Sequence, residues 1–293
     1  MGRELPRTLR TLATPYQRDI DPVDYEIIVV DNGSSPAAVP SLPAGATATI
    51  RVHRIDQASA SPAGAANEGI AAAHGEIVGL IIDGARMASP GLLHGALLAA
   101  TLAPRPVVTA PAWHLGPTLQ AHAATTGYDQ IEEDALLARS GWEHDGYALF
   151  TIASPAASSA RGLFGPMGES SSLFLHRDTW AELGGLDERF ALPGGGMVNH
   201  DLYRRACHLA GAQLVVLLGE GTFHQIHGGA ATSGRISREE MRADYEAIRG
   251  EPHRPPSNRA LYLGWVQPTY LPHIGSSVEL AEVARRQPDV DGR

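Results

Sequence analysis

The chain is predicted to be α/β, with a mostly parallel sheet flanked by helices. Short runs rich in Val, Ile and Leu alternate with longer helical stretches, the pattern of strands buried beneath crossover helices. Two of those runs stop abruptly at an aspartate, Val30 giving way to Asp31 and Ile82 to Asp83. Open α/β sheets place their ligands beyond such strand ends. The 293 residues, 43% hydrophobic and 19% charged, suffice for one large α/β domain or two smaller ones.

Taken in order, Arg3–Leu12 has the spacing of an amphipathic helix, and Glu26–Val30 and Thr49–His53 read as strands. Pro62–His74 is a helix that Ser61 can cap, with Pro62 in its first turn and Gly75 at its exit. Glu76–Ile82 is a buried strand. Ser89-Pro90 repeats the start signal for a helix to about Leu102, and Val107–Pro111 is a strand. Thr118–Arg139 is predicted helical, whereas Ala153–Ser172, rich in Ser, Ala, Gly and Pro, reads as an irregular surface loop. Ser172–His176 is a strand and Asp178–Leu183 a short helix closed by Gly184-Gly185. His200–Ala210 is a helix capped by Asn199 and stopped by Gly211; Gln213–Leu218 is the last strand and Ser237–Arg249 an amphipathic helix.

Composition removes several function classes. The net charge of -9 offers no excess of cations to replace phosphate counterions, so no general nucleic-acid binder is expected. Every cation is arginine, which excludes a P-loop lysine, a Schiff base and a lysine general base. No apolar run approaches the length of a membrane span, and no basic-then-apolar signal peptide is visible. The single Cys207 fits a reducing compartment and a buried structural thiol. A cytoplasmic protein without a transmembrane segment is expected.

The two strand-end acids could accept hydrogen bonds from a base or ribose, or hold a divalent cation. "YEIIVVDNGSS", then "AANEGIAAAHGEIVGLIIDGAR", then "GGLDERFALPGGGMVNHDLYRRACHLAG" resemble, in order, three signatures of family 2 glycosyltransferases with the GT-A fold, from roughly Arg3 to Gly229. The resemblance implies one GT-A-like domain over residues 1–250, with a nucleotide-sugar half to about residue 112 and an acceptor half beyond it. A proline-rich extension would cover 251–293. It also implies a nucleotide-diphosphate sugar as donor, UDP-linked by default, Mn²⁺ or Mg²⁺ as cofactor, a glycan or small-molecule hydroxyl as acceptor, and a place in polysaccharide biosynthesis.

Carried over by position, Asp31 matches the acid that contacts the nucleobase, and Asn32, Gly33 and Ser34 complete that donor loop. Asn67 lies in the segment expected beneath the nucleotide, where Ala66 replaces the family's arginine. Asp83 opens the DxD-type motif, but the sequence reads Asp83-Gly84-Ala85-Arg86 and the last carboxylate is lost. Arg86 could meet phosphate directly. The missing ligand is sought at His224 and His227, imidazoles that suit Mn²⁺ better than Mg²⁺, with Gly228-Gly229 allowing close approach.

Val198 and Asn199 stand where inverting members carry an acidic pair, and neither can take a proton. Asp201 and His200 are then the candidate bases, although a helix start makes Asp201 a poorer one. Asp187 and Glu188 are the candidate acceptor residues, and Leu192–Met197 a flexible segment that could close over substrate. The family's opening strand has no counterpart, because Arg3–Leu12 matches the helix that follows it. A truncated gene start is preferred to a genuine loss. Inverting and retaining outcomes both stay open. The rival reading is a catalytically impaired domain that binds a nucleotide-sugar or glycan and serves a partner. A nucleotidyltransferase lacks the required phosphate loop.

Overall fold

A computed structural model describes residues 2–123, 127–227 and 236–271. Helix α1 (Glu4–Leu12) leads into strands β1 (Glu26–Asp31) and β2 (Thr49–Arg54), helix α2 (Ala63–Ala72), strands β3 (Ile77–Ile81) and β4 (Arg86–Ala88), and helix α3 (Leu92–Ala100). Then come β5 (Pro106–Thr109), β6 (Ala112–Leu115), α4 (Gln120–Ala123), α5 (Gln130–Ser140), β7 (Ala153–Pro155), β8 (Ser172–His176) and α6 (Arg177–Leu183). The chain continues through α7 (Val198–His208), β9 (Gln213–Leu218), β10 (Thr222–His224), α8 (Arg238–Arg249) and β11 (Leu261–Gly264). No helix among the described residues is long and apolar enough to cross a membrane.

The main sheet runs β11-β9-β5-β8-β3, and a smaller one runs β4-β10-β6-β7. Pairing is mixed: β5, β9 and β11 are mutually parallel, whereas β8 is antiparallel to both its neighbours. The second sheet escapes prediction because its strands are only three or four residues long, too short for an alternating pattern. β11 lies in the segment expected to be a proline-rich extension, and it extends the main sheet beside β9.

β1 and β2 form a two-stranded sheet of their own. β3 is the edge of the main sheet, and no hydrogen-bonded ladder joins it to β1. The strand layer is therefore broken between β1 and β3.

Several boundaries differ for identifiable reasons. The stretch predicted as one helix from Thr118 is two, and the Asp129 carboxylate caps the second by accepting from the Ile131 and Glu132 N–H groups. Ser89 does not cap α3; its hydroxyl donates to Glu220, and the helix begins later. Asn199 sits inside the first turn of α7 rather than capping it. Ser237 and Glu240 form a reciprocal capping box at α8, which ends on Gly250 in the left-handed region.

The core has three parts. Val78, Leu173, Leu175, Trp180, Phe190, Leu202, Tyr203 and Tyr245 pack beneath α2, α6, α7 and α8. Leu12, Leu92, Ala96, Val108, Phe174 and Val215 fill the opposite face under α1 and α3. Trp113, Leu149, Phe150 and Phe223 hold the smaller sheet. Cys207 is buried in the first cluster, and burial pushes its thiol up to about 12, which makes it an inert structural thiol.

Trp180 is 2% exposed and donates its indole N–H to the Val78 carbonyl on β3 at 2.9 Å. Trp180→Ala is expected to cost about 3–5 kcal/mol through the cavity and the orphaned carbonyl. A lower urea midpoint at unchanged slope would record it; a loss under about 1 kcal/mol would contradict this packing.

Candidate functional site

Asp83, the residue after the β3 run, has φ +64, a left-handed conformation that costs a non-glycine residue energy and often marks a functional position. Its Oδ1 accepts from the Ala85 N–H at 2.9 Å. That bond aims Oδ2 towards the end of β10, where it lies 3.1 Å from His224 Nε2 and 3.6 Å from His227 Nε2. The two imidazole nitrogens are themselves 3.1 Å apart.

The tautomer of His224 follows from its neighbours. Gln120, fully buried at the start of α4, donates its amide N–H to the His224 carbonyl at 2.7 Å. Its Oε1 therefore faces His224 Nδ1, at 2.5 Å, and that nitrogen carries the proton. Nε2 is left with a lone pair directed at Asp83 and His227. Burial holds the His224 pKa low, against the opposing pull of Asp83. Burial also works to raise Asp83, but its contacts with His224 and His227 and the Arg86 charge hold it well below the usual carboxylate range. An ionised carboxylate thus faces a neutral imidazole lone pair across 3.1 Å.

Such an arrangement is relieved by a positive charge between the atoms. Separations of this size are those of ligand atoms sharing one ion at roughly 2.1 Å, and these three are the group among the described residues that could hold one. The donor set fits a divalent cation, and Gln120 supplies the outer hydrogen bond that orients a metal-binding histidine.

Several elements hold this triad. The Gln225 N–H donates to the Ala85 carbonyl, and its side-chain amide reaches the Glu4 carbonyl of α1. Ile226 is held from both sides: its N–H donates to Glu133 of α5, and Arg3 donates to its carbonyl. His227 therefore leaves a fixed segment. Gly228 and Gly229 lie outside the described residues. His114, on β6, accepts from the Gln120 backbone N–H through Nδ1; burial above all, with Arg86 and His224 close by, depresses its pKa to about 3. Arg86 donates Nε to the Ile82 carbonyl, but its buried Nη1 has no partner.

Asp31 and Asp83 line one cleft of about 1530 Å³, together with Asn32, Ser34, Arg86, His114, His224 and His227. The Asp31 carboxylate, 2% exposed, accepts from the Ser34 and Ala38 N–H groups and from Arg54. It organises the loop that begins with it. Burial tends to raise its pKa, but those hydrogen bonds and the Arg54 charge bring it down to about 2. Gly33 does not line the cleft. It turns the loop at φ +76, where a Cβ would come within 2.4 Å of Ala58 Cβ.

Other candidates lie elsewhere. Asn67 clasps the Leu186 backbone through both atoms of its amide and donates to Glu188, so it joins α2 to the loop after α6. Neither it nor Asp187 or Glu188 lines the cleft. Asp187 is held by Arg189 and Arg249, and Arg189 keeps its pKa depressed. Asp201 is 1% exposed and accepts from Arg205 and twice from Arg249. With both oxygens occupied it has no access to an acceptor hydroxyl, which corrects its candidacy as base.

His200 does line the cleft, and so does Glu169, which sequence reasoning passed over. Glu169 Oε2 lies 3.5 Å from His200 Nδ1. Glu169 is two residues before Ser171, whose carbonyl accepts from the Ile82 N–H at 3.0 Å. That bond ties the Glu169 loop to the residue before Asp83. Asn199 Oδ1, His200 Nδ1 and His253 Nε2 are buried without partners, and all three residues line the cleft. Buried polar atoms of this kind call for an explanation, and here they face a cleft.

The Asp31 cradle predicts an acid response. A carboxyl whose folded pKa lies below its unfolded value stabilises the fold above the unfolded pKa, and that stability is lost as pH falls through the folded one. Stability should therefore decline from about pH 4 down to about pH 2. Asp31→Asn should flatten that part of a denaturation-against-pH series; an unchanged slope would remove Asp31 as its source.

The family model described as "Glycosyl transferase family 2" matches residues 3–88. The fold resembles that of S. aureus TarS 1-349, solved in complex with UDP-GlcNAc: TM-score 0.51 at 13% identity, over 84% of this chain and 62% of that one. A second S. aureus TarS structure matches with TM-score 0.48 and 10% identity, over 84% of this chain and 40% of that one. The chain thus spans less than two thirds of the TarS chains it matches. No curated protein matches it. Residues 3–88 match the family 2 glycosyltransferase model, and the chain has an α/β fold of the GT-A kind.

Proposed function

We propose that the chain is a glycosyltransferase that takes a UDP-linked sugar and passes it to a hydroxyl acceptor. One observation carries this reading: Asp83, His224 and His227 converge at the carboxyl end of the strands, in the cleft that also contains Asp31 and the unpaired Nη1 of Arg86. The resemblance to TarS and the family 2 match over residues 3–88 support it.

Asp83, His224 and His227 would hold a divalent cation, and two imidazoles with one carboxylate favour Mn²⁺ over Mg²⁺. When bound, the cation neutralises charge on the leaving diphosphate. Arg86 Nη1 donates to a phosphate oxygen, which gives this buried N–H its partner. The loop from Asp31 to Ser34 receives the nucleoside. Glu169, with His200 beside it, takes the acceptor proton, in place of Asp201 and of the acid that Asn199 replaces. The second reading, a binding domain with impaired catalysis, is favoured by the sequestration of Asp201.

Calorimetric titration with UDP, with and without Mn²⁺, tests the donor site. Mn²⁺ should tighten UDP binding by at least about tenfold, or roughly 1.4 kcal/mol, and Asp83→Asn should abolish the gain. Equal affinity with and without the metal would overturn the cation site.

Hydrolysis of UDP-GlcNAc in the presence of Mn²⁺ separates enzyme from binding domain. Glu169→Gln should lower the rate by about a hundredfold or more while UDP binding stays the same. Undiminished hydrolysis would place the base elsewhere, and tight metal-dependent binding with no turnover would favour the second reading.

A further inference from the structure

Helix α7 has little local support where it begins. Gly194, Gly195 and Gly196 all have positive φ shortly before it, and no side chain caps its first turn. An uncapped start leaves backbone N–H groups unsatisfied and frays readily. His200 sits in that first turn. Its place 3.5 Å from Glu169 therefore depends on contacts from outside the helix.

The stretch after α8 supplies them. His200, Arg204 and Cys207 recur at the spacing of one helix face, and residues between 251 and 258 touch all three. Glu251 accepts from Arg204 at 2.7 Å, and the Asn258 amide donates to the Cys207 carbonyl at 2.8 Å. Between these anchors the chain reads Pro252-His253-Arg254-Pro255-Pro256, and its prolines restrict the backbone. The His253 ring meets the His200 ring edge-on, at 5.2 Å and 90°, and the Tyr245 ring in the same way, at 5.1 Å and 84°. A ring nitrogen of His253 also bonds to the His200 main chain. Tyr245 is fully buried and its hydroxyl accepts from Arg204, so His253 rests on a fixed base.

Packing alone does not call for a histidine here. A phenyl ring would make the same edge contacts without Nε2, which is buried with no partner and costs stability as it stands. Pro252, His253 and Pro255 also line the cleft, with Asn199, His200 and Glu169. The stretch after α8 is thus both a prop for α7 and part of the cleft wall. We infer that His253 is a positioning residue of the transfer, which holds His200 beside Glu169. The inference rests on the reading that Glu169, with His200 beside it, takes the acceptor proton. It brings into the reaction a residue beyond the three sequence signatures and outside the family match over residues 3–88.

Carbon relaxation measured on the His200 imidazole tests this without any turnover. The ring C–H order parameter should be about 0.85 in the full chain and fall below about 0.6 in His253→Ala. His253→Phe keeps the ring contacts and removes both nitrogens. It should unfold at the same or a higher urea concentration, yet hydrolyse UDP-GlcNAc with Mn²⁺ at least about tenfold more slowly, with UDP affinity unchanged. Combined with Glu169→Gln, it should slow hydrolysis no further than Glu169→Gln alone, because both changes act on one group. A His200 ring equally ordered in His253→Ala would overturn the inference, as would full turnover in His253→Phe or additive losses in the double variant. If Glu169→Gln keeps full turnover while His253→Ala loosens the His200 ring, the base assignment fails and the hold of His253 on His200 stands.

Discussion

The Asp83 carboxylate and the imidazole nitrogens of His224 and His227 crowd within 3.6 Å of one another. That contact is unfavourable unless a cation, a proton or a ligand donor fills the space, and much of the surrounding structure serves to maintain it. Asp83 stays in a left-handed conformation, Gln120 orients His224, and Arg3 with Glu133 fixes the peptide before His227. These restraints come from α1, α4, α5 and two different sheets. So many independent supports for one electrostatically costly cluster is the pattern of a preorganised ligand site.

Charge elsewhere is arranged to do the opposite. Asp201 and Asp187 are neutralised by Arg205, Arg189 and Arg249, and Asp31 is satisfied by its own loop and Arg54. Arginine suits these partly buried, multidentate pairings. The contrast separates the roles of the acids better than sequence position does. Acids with full sets of donors hold loops and helices together, whereas Asp83 and Glu169 present oxygen atoms to the cleft.

The break between β1 and β3 bears on the same cleft. Backbone groups along a parallel strand normally have partners on both edges. Here two aliphatic strands keep one edge each open beneath roofing helices. Asp31 and Asp83 stand at the carboxyl ends of these two strands, so the width of that break also sets the spacing of the two sides of the cleft.

The amino-acid sequence alone determined the α/β class, most of the longer elements and the two strand-end aspartates. Local hydrophobic periodicity and helix-end chemistry carry that information within a few residues of each position. His224 and His227 were legible as candidate ligands because they follow a strand and lie close together. Tertiary structure alone decided the rest, because it depends on contacts between residues far apart in the chain. Arg249 lies 48 positions from Asp201, and removes it as a base; Gln120 lies 104 from His224, and sets its proton. Asn67 and Glu188, 121 apart, pair with each other and do not line the cleft. Glu169 gave no signal, since a carboxylate in a Gly- and Ser-rich loop has no periodicity to mark it. Only folding that loop against Ile82 brings it to the cleft.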